Sequence, residues 1–225
     1  MSTPQFKPYT WAFTSLKLYD DTCPYQFFRT YIKKDIPYVG SPAQEEGKQA
    51  HTALQERVQG KKPLPPHMRQ WEPFAAALDP FQCRVELRLA MTKEARPTEY
   101  FPKDVAGRGQ VDIAIINGGS AAIFDWKLAN SKYESAFELQ IHALLLKAAN
   151  PQLTQVTGSF VWLRECRMGQ TYDLSDFSGT WAKINNIVEQ IGDDMASGEF
   201  EKRRTPLCRY CRVFDCESNT NQKRD

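Results

Sequence analysis

One twenty-residue segment constrains this chain more than any other. Residues 109–128 read GQVDIAIINGGSAAIFDWKL, with Asn117-Gly118-Gly119-Ser120 punctuating two runs of alternating character. Such a quartet between period-two runs predicts a β-hairpin with a two-residue turn. With Gly118 and Gly119 in the turn, facing positions add to 237. Val111 then faces Trp126, Ile113 faces Phe124 and Ile115 faces Ala122, so these six apolar residues make one buried face. On the other face Asp112 lies across from Asp125, and Gln110 across from Lys127. Like charges directly opposed on neighbouring strands destabilise a sheet unless they share a proton or a cation. A hard divalent ion such as Mg²⁺ takes oxygen ligands and often needs only one or two carboxylates. Lys127 follows Asp125 by two residues and shares its face, where it can hold a phosphate, stabilise developing negative charge or orient a water.

The flanking sequence supplies the rest of the architecture. Helical spacing is expected over about 14–32, interrupted at Cys23-Pro24, then over 42–59 and 67–79. Cys83, Val85, Leu87 and Leu89 alternate with charged residues, which predicts a strand with one buried face. A loop or hairpin extension covers 92–108. After the hairpin come a helix at about 132–149, a strand at 155–165 and a helix at 178–196. Helices, three strands, helix, strand and helix predict an α/β fold, a central mixed β-sheet flanked by helices. The expected organisation is a single domain over 1–225. Its core covers about 42–197, with a cysteine-bearing module formed by about 14–32 and 198–225.

No run approaches the roughly 20 apolar residues of a membrane span, and Met1–Pro8 has no apolar signal segment, so an intracellular (cytoplasmic) protein with no membrane partner is expected. A net charge of +2 neither demands nor excludes nucleic acid. Its distribution is uneven: Lys202, Arg203, Arg204, Arg209 and Arg212 meet only Glu201 over twelve residues. In a reducing compartment the six cysteines are no disulfide framework, and Cys83 and Cys166 read as buried thiols.

Three further residues stand out. His51 shares a helix face with Gly47, Leu54 and Val58, as a core histidine or a metal ligand; Gly47 implies close approach of that helix to something. Glu86 lies on the polar side of its strand, to orient a metal or its water or to pair with Arg84 or Arg88. Gln140, on the helix after the hairpin, is placed to touch a DNA backbone or to make a structural hydrogen bond.

In order, Gly47-x-x-x-His51, Glu86, Gly109-Gln110-Val111-Asp112, Asp125-Trp126-Lys127 and Gln140 resemble the PD-(D/E)XK nuclease superfamily, in particular its RecB-like branch with the CRISPR-associated RecB-like exonucleases. The resemblance spans about residues 14–216. It implies His51, Asp112, Asp125 and the backbone carbonyl of Trp126 as ligands of Mg²⁺ or Mn²⁺, with Lys127, Asp125, Asp112 and Glu86 as catalytic residues. Relatives often carry a tyrosine four residues after the glutamine, where this chain has Leu144. In related nucleases one N-terminal and three C-terminal cysteines bind a 4Fe-4S cluster, and Cys23, Cys208, Cys211 and Cys216 are the matching set. Four thiolates serve zinc equally well, and free thiols are the third reading. Basic residues beside the cysteines, Arg209 and Arg212 among them, would then contact DNA. The implied activity is metal-dependent hydrolysis of DNA phosphodiester bonds, as an exonuclease on single strands or free ends. That activity belongs to recombination, repair, phage DNA processing or CRISPR adaptation, with a protein partner in such a complex. A non-cleaving DNA-binding subunit and an endonuclease of the same superfamily are the alternatives.

Overall fold

A proline breaks the N-terminal helical run into short pieces. The structure, a computed structural model, describes residues 9–37, 39–101 and 104–220, the side chain of Tyr133 excepted. Helix α1 (Phe13–Lys17) widens into a π-type turn at Leu18–Thr22, and α2 (Pro24–Phe27) into another at Phe28–Ile32. Between them Cys23 is extended, with φ −163° and ψ 113°, the backbone that a following proline favours. Helix α3 (Pro42–Val58) begins at Ser41, whose hydroxyl accepts from the Gln44 N–H while the Gln44 side chain accepts from the Ser41 N–H. This reciprocal cap, with Pro42 in the first turn, fixes where the helix starts. A 3₁₀ turn (Pro66–Trp71) leads into α4 (Glu72–Ala76). Then follow β1 (Cys83–Met91), β2 (Pro97–Thr98), β3 (Gly107–Asn117), β4 (Ser120–Lys127), α5 (Ala136–Ala149), β5 (Gln155–Trp162), β6 (Arg167–Asp173) and α6 (Phe177–Ser197). Two of these strands were illegible in the sequence. β2 is too short to show a period, and β6 is an edge strand whose side chains are mostly exposed.

The chain divides into two compact units, Gly40–Thr180 and the segments to Val39 and from Trp181. The first holds a six-stranded sheet in the order β2-β1-β3-β4-β5-β6. Neighbours are antiparallel except β4 and β5, which run parallel because α5 crosses between them. Helices cover both faces. On one, Ala114, Ile123, Val156 and Phe160 meet Leu139, Ala143 and Leu146 of α5. On the other, Ile113, Trp126 and Val161 meet Ala50 and Leu54 of α3 with Met68, Trp71 and Ala75. Arg57 of α3 bridges Glu72 and Asp79, and the Trp71 indole N–H donates to the Leu163 carbonyl at 2.9 Å, fixing this helical layer to the sheet.

The hairpin register holds from Asn117↔Ser120 down to Ile113↔Phe124, and Gly118 takes the positive φ (57°) that the turn needs. The expectation of one apolar face does not hold, because the sheet is sandwiched and both faces are buried. Two strands also change sides. Cys83 and Val85 pack toward α3, whereas Leu87 and Leu89 pack toward α5. Likewise Ile113 packs toward α3 and Val111 toward α5. The break falls at Glu86, whose φ is +55°, opposite Asp112. Every rung from Cys83↔Ile115 to Met91↔Gly107 pairs except this one. Strict alternation therefore fails at the two acidic residues.

Three smaller expectations are corrected as well. Cys166 is exposed in the β5–β6 turn with φ +46°, and Cys83 is half-buried, so neither is a core thiol. A Cβ on Gly47 would meet nothing within 4 Å, so that glycine marks open space rather than close packing. The close approach is at Gly109, where a Cβ would lie 2.8 Å from the Leu145 methyl and 3.5 Å from the His142 ring. Leu145 is fully buried, so its methyl would have to shift within a close-packed core. Gly109→Ala should therefore cost about 1–3 kcal/mol by overpacking, read as a lowered midpoint in urea with an unchanged slope.

The second unit ties the two ends of the described chain together. The Tyr25 N–H donates to the Glu201 carbonyl at 2.9 Å, Phe28 stacks on Phe200 at 4.6 Å, and the Tyr19 hydroxyl donates to Asp194 at 2.8 Å. Arg29, 8% exposed, donates to both Asp35 and Asp215, which hold its guanidinium firmly charged. Ile184, Ile187 and Ile191 form the buried stripe of α6. Among the described residues no helix is long and apolar enough to cross a membrane.

Candidate metal centre

The missing rung is where the acidic groups collect. Glu86 of β1 stands opposite Asp112 of β3 in the β1–β3 count, and Asp112 stands opposite Asp125 when the β3–β4 count is extended. Neither pair forms a ladder rung. Instead the Asp112 carboxylate accepts the Trp126 N–H at 2.8 Å, taking the place of a backbone acceptor. The strands part at the level of the acids, and the side chains turn into the gap.

Two triads result. In the first, the Nδ1 of His51, delivered by α3, lies 3.3 Å from Asp112 and 3.9 Å from Glu86. The second joins Asp125 with Glu138 and His142 of α5. In each triad one donor atom per residue lies within 4.8 Å of the others. Lys127 closes the second, with Nζ 2.7 Å from Asp125 and 3.0 Å from Glu138. Its ammonium also lies 5.5 Å from the Phe160 ring. Asp112 and Asp125 are 5% and 4% exposed, so their charges are largely shielded from water.

The electrostatics follow from this crowding. Burial lowers the basicity of His51, but Asp112, Asp125 and Glu86 outweigh it and lift its pKa to about 8. Burial and Asp112 raise Glu86, and burial and Asp125 raise Glu138 against the pull of Lys127. Burial disfavours charge on Lys127 as well, yet Asp125 and Glu138 keep its ammonium protonated far above neutrality. His142, wholly buried, is held neutral, and its Nδ1 has no hydrogen-bond partner. The centre thus gathers four carboxylates against one lysine and one histidine that can be charged. With all four carboxylates ionised it carries two uncompensated negative charges, the balance one divalent cation would meet, and the oxygen-rich donor set suits Mg²⁺ or Mn²⁺.

The signs predict a pH dependence in metal-free protein. His51 binds its proton more tightly folded than unfolded, so its contribution is complete below about pH 6.5 and disappears as pH rises through about 8. Raised carboxyls at Glu86 and Glu138 act in the same direction above the usual carboxylate range. Because His51 is partly exposed, its share is about 1 kcal/mol after solvent screening. Thermal melts in EDTA should show Tm falling between pH 6 and 8.5, and saturating Mn²⁺ should flatten the profile. A Tm that rose across this range in EDTA would contradict the assignment.

The structure brings together His51, Glu86, Asp112, Asp125 and Lys127, though Asp125 joins Glu138 and His142 rather than His51 in the tightest grouping. Gln140 is half-buried on α5 and, among the described residues, pairs with none of these groups. Sequence reasoning missed Glu138 and His142. Their spacing of four on a helix following Asp-x-Lys was available as a signal; the run of leucines around them hid it.

In the second unit Cys23, Cys208, Cys211 and Cys216 line one cleft with Thr22, Tyr25 and Asn219, but among the described residues their sulfurs do not draw together into a group within 4.8 Å as the two carboxylate–histidine triads do. The Thr205 N–H donates to the Cys208 sulfur at 3.3 Å, and the Val213 N–H to the Cys211 sulfur at 3.5 Å. Burial pushes the Cys211 thiol up, and the other three cysteines add to the rise. Arg209 lies 4.8 Å from the exposed Tyr210 ring, and Arg212 donates to the Val39 carbonyl at 2.7 Å.

No curated protein matches the chain. Among solved structures, one titled "Crystal structure of SSO0001" is 13% identical, covers 83% of this chain and 92% of its own, and gives a TM-score of 0.38, a likeness too slight to bear on the fold. The family profile of the PD-(D/E)XK nuclease superfamily matches residues 10–216. The chain, with its acidic gap at the sheet and Asp125-Trp126-Lys127 on β4, belongs to the PD-(D/E)XK nuclease superfamily.

Proposed function

We propose that this protein is a divalent-metal-dependent deoxyribonuclease that degrades single-stranded DNA from an end. The observation that carries the reading is the excess of buried carboxylate in the gap between β1, β3 and β4, with a charged lysine at its edge. His51, Asp112, Asp125 and the carbonyl of Trp126 would hold Mg²⁺ or Mn²⁺, with Glu86 beside them. A bound ion would supply positive charge to the phosphodiester and acidify water at the site. Lys127 stays protonated between Asp125 and Glu138, so it serves as a fixed cation for the charge that develops on the phosphate and is not the base. Asp112 fixes the start of Trp126 through its N–H and so sets where the carbonyl of that residue points. A Cβ at Gly47, one turn before His51, would meet nothing within 4 Å, which supports approach of a DNA strand along α3. Gln140, Arg209 and Arg212 are assigned to the DNA backbone.

The same reading gives Cys23, Cys208, Cys211 and Cys216 a 4Fe-4S cluster that fastens the two ends of the chain. Support comes from the shared cleft and from N–H groups aimed at two of the sulfurs, a common way of stabilising cluster thiolates. Tetrahedral zinc would draw the four sulfurs to about 3.8 Å from one another. The domain is read as one nuclease core with this module at its termini.

The test is digestion of end-labelled single-stranded DNA with Mg²⁺, Mn²⁺ or EDTA, beside Asp125→Ala. Stepwise shortening that needs metal and Asp125 is the expected result. Degradation unaffected by EDTA and by the substitution would remove the nuclease reading. Cleavage of circular single strands at the same rate would replace exonuclease by endonuclease.

A further inference from the structure

After β2 the chain presents two adjacent aromatic rings that the metal centre does not use. Phe101 is 75% exposed, and its ring meets Tyr100 edge-on with centroids 5.0 Å apart. The Arg108 guanidinium lies 5.4 Å from the Tyr100 ring and 5.5 Å from the Phe101 ring, and that of Arg88 lies 5.9 Å from Tyr100. Among the described residues no carboxylate pairs with Arg88 or Arg108. Two guanidiniums over the Tyr100 ring, one of them also over the mostly exposed Phe101 ring, leave apolar surface exposed and gain no ion pair among the described residues. A ligand with flat apolar faces and negative charges would use both.

The position of this patch identifies the ligand. Arg88 is two residues beyond Glu86 on β1, and Gln110 and Arg108 are two and four residues before Asp112 on β3. Leu87, Leu89, Val111 and Gly109 face α5, so the residues alternating with them, Arg88, Gln110 and Arg108, lie on the opposite side, the side from which His51 of α3 meets Glu86 and Asp112; at about 3.3 Å per residue they are roughly 7–13 Å along the strands from those acids. The Gln110 side chain donates to Glu86, so the row is continuous from the acids to the rings. We propose that Tyr100, Phe101, Arg88 and Arg108 form a stacking platform for the bases of single-stranded DNA entering the metal centre. This rests on the nuclease reading and extends it by naming where the uncut strand is held. The exposed Phe101 face takes a base, Tyr100 braces it edge-on, and the arginines meet flanking phosphates. Such a platform is tolerant of sequence, because every base has a flat face.

The experiment uses the full chain in EDTA, so that binding is read without cleavage. Its probe is a short single-stranded DNA carrying 2-aminopurine at successive positions, whose fluorescence falls when it stacks. Wild type should quench the probe at one position. Phe101→Ala and Tyr100→Ala should weaken binding by about 5- to 100-fold and abolish the quench, and Phe101→Trp should restore both. Arg108→Ala should weaken binding less and flatten its salt dependence. Phe81→Ala, an exposed ring elsewhere on the same unit, should change neither. Unaltered affinity and quench in Phe101→Ala and Arg108→Ala overturn the platform, as does wild type that fails to bind. Wild type that binds and quenches but does not cut with Mg²⁺ overturns the nuclease reading and leaves the platform standing.

Discussion

In the proposed role of Lys127, Lys127→Met should lower kcat by about 10²–10³-fold, with a much smaller change in KM, because the ammonium would act on charge that appears mainly during cleavage. Methionine keeps most of the aliphatic stem, so the packing loss is small, but it removes the ammonium that lies 5.5 Å from the Phe160 ring. What is lost is the cation between Asp125 and Glu138, at 2.7 Å and 3.0 Å. Removing one partner of a buried ionic cluster leaves the others uncompensated and typically costs about 3–5 kcal/mol. Here the cost should be smaller in acid, where Glu138, already raised by burial and Asp125, takes up a proton. Single-turnover digestion and thermal melts at pH 6 and 8 separate the two effects: the rate loss persists at both, whereas the stability loss grows with pH. Lys127→Arg should not restore the rate, since a planar fork cannot occupy the place of a compact ammonium between two carboxylates. Undiminished kcat in Lys127→Met would exclude the lysine from the chemistry.

On the proposed cluster reading, Cys208→Ser should reduce iron and acid-labile sulfide to background and lower Tm by about 10 °C, in line with several kcal/mol of folding energy carried by a bound metal group. The reason is geometric. Cys23 sits at the extended break between α1 and α2, and its three partners come from the last part of the described chain. A bound group would add a link between segments already joined by Tyr25 with Glu201, Phe28 with Phe200, Tyr19 with Asp194 and Arg29 with Asp215. Stoichiometric zinc in anaerobically purified wild type, without iron, would assign the site to zinc. Unchanged Tm and no bound metal would leave four free thiols.

The sequence was most informative where local geometry leaves little choice. Asn117-Gly118-Gly119-Ser120 fixed the turn, and with it every rung from Ile113 to Asn117, because a two-residue loop permits one register. Ser41-Pro42 marked the start of α3, and Cys23-Pro24 marked the break in the N-terminal run. The acids that matter, Asp112 and Asp125, were legible as a repulsive pair that needs a counter-charge. Period-two reasoning was least informative at the centre itself. It assumes a regular ladder, and the ladder fails at Glu86 and Asp112, where the backbone of Glu86 turns to positive φ and the strands change faces.

What the sequence by itself determined is therefore the hairpin, its register, the acidic pair, the lysine beside it and the mixed α/β order. Tertiary structure alone decided which helices reach the gap. Packing on opposite faces of the sheet brings α3 with His51 to Asp112 and α5 with Glu138 and His142 to Asp125, across 61 and 17 residues of chain respectively for His51 and His142. No local period encodes that meeting. It arises because a sheet buried on both faces must be covered by two helical layers, and the missing rungs at Glu86, Asp112 and Asp125 let the acids meet both.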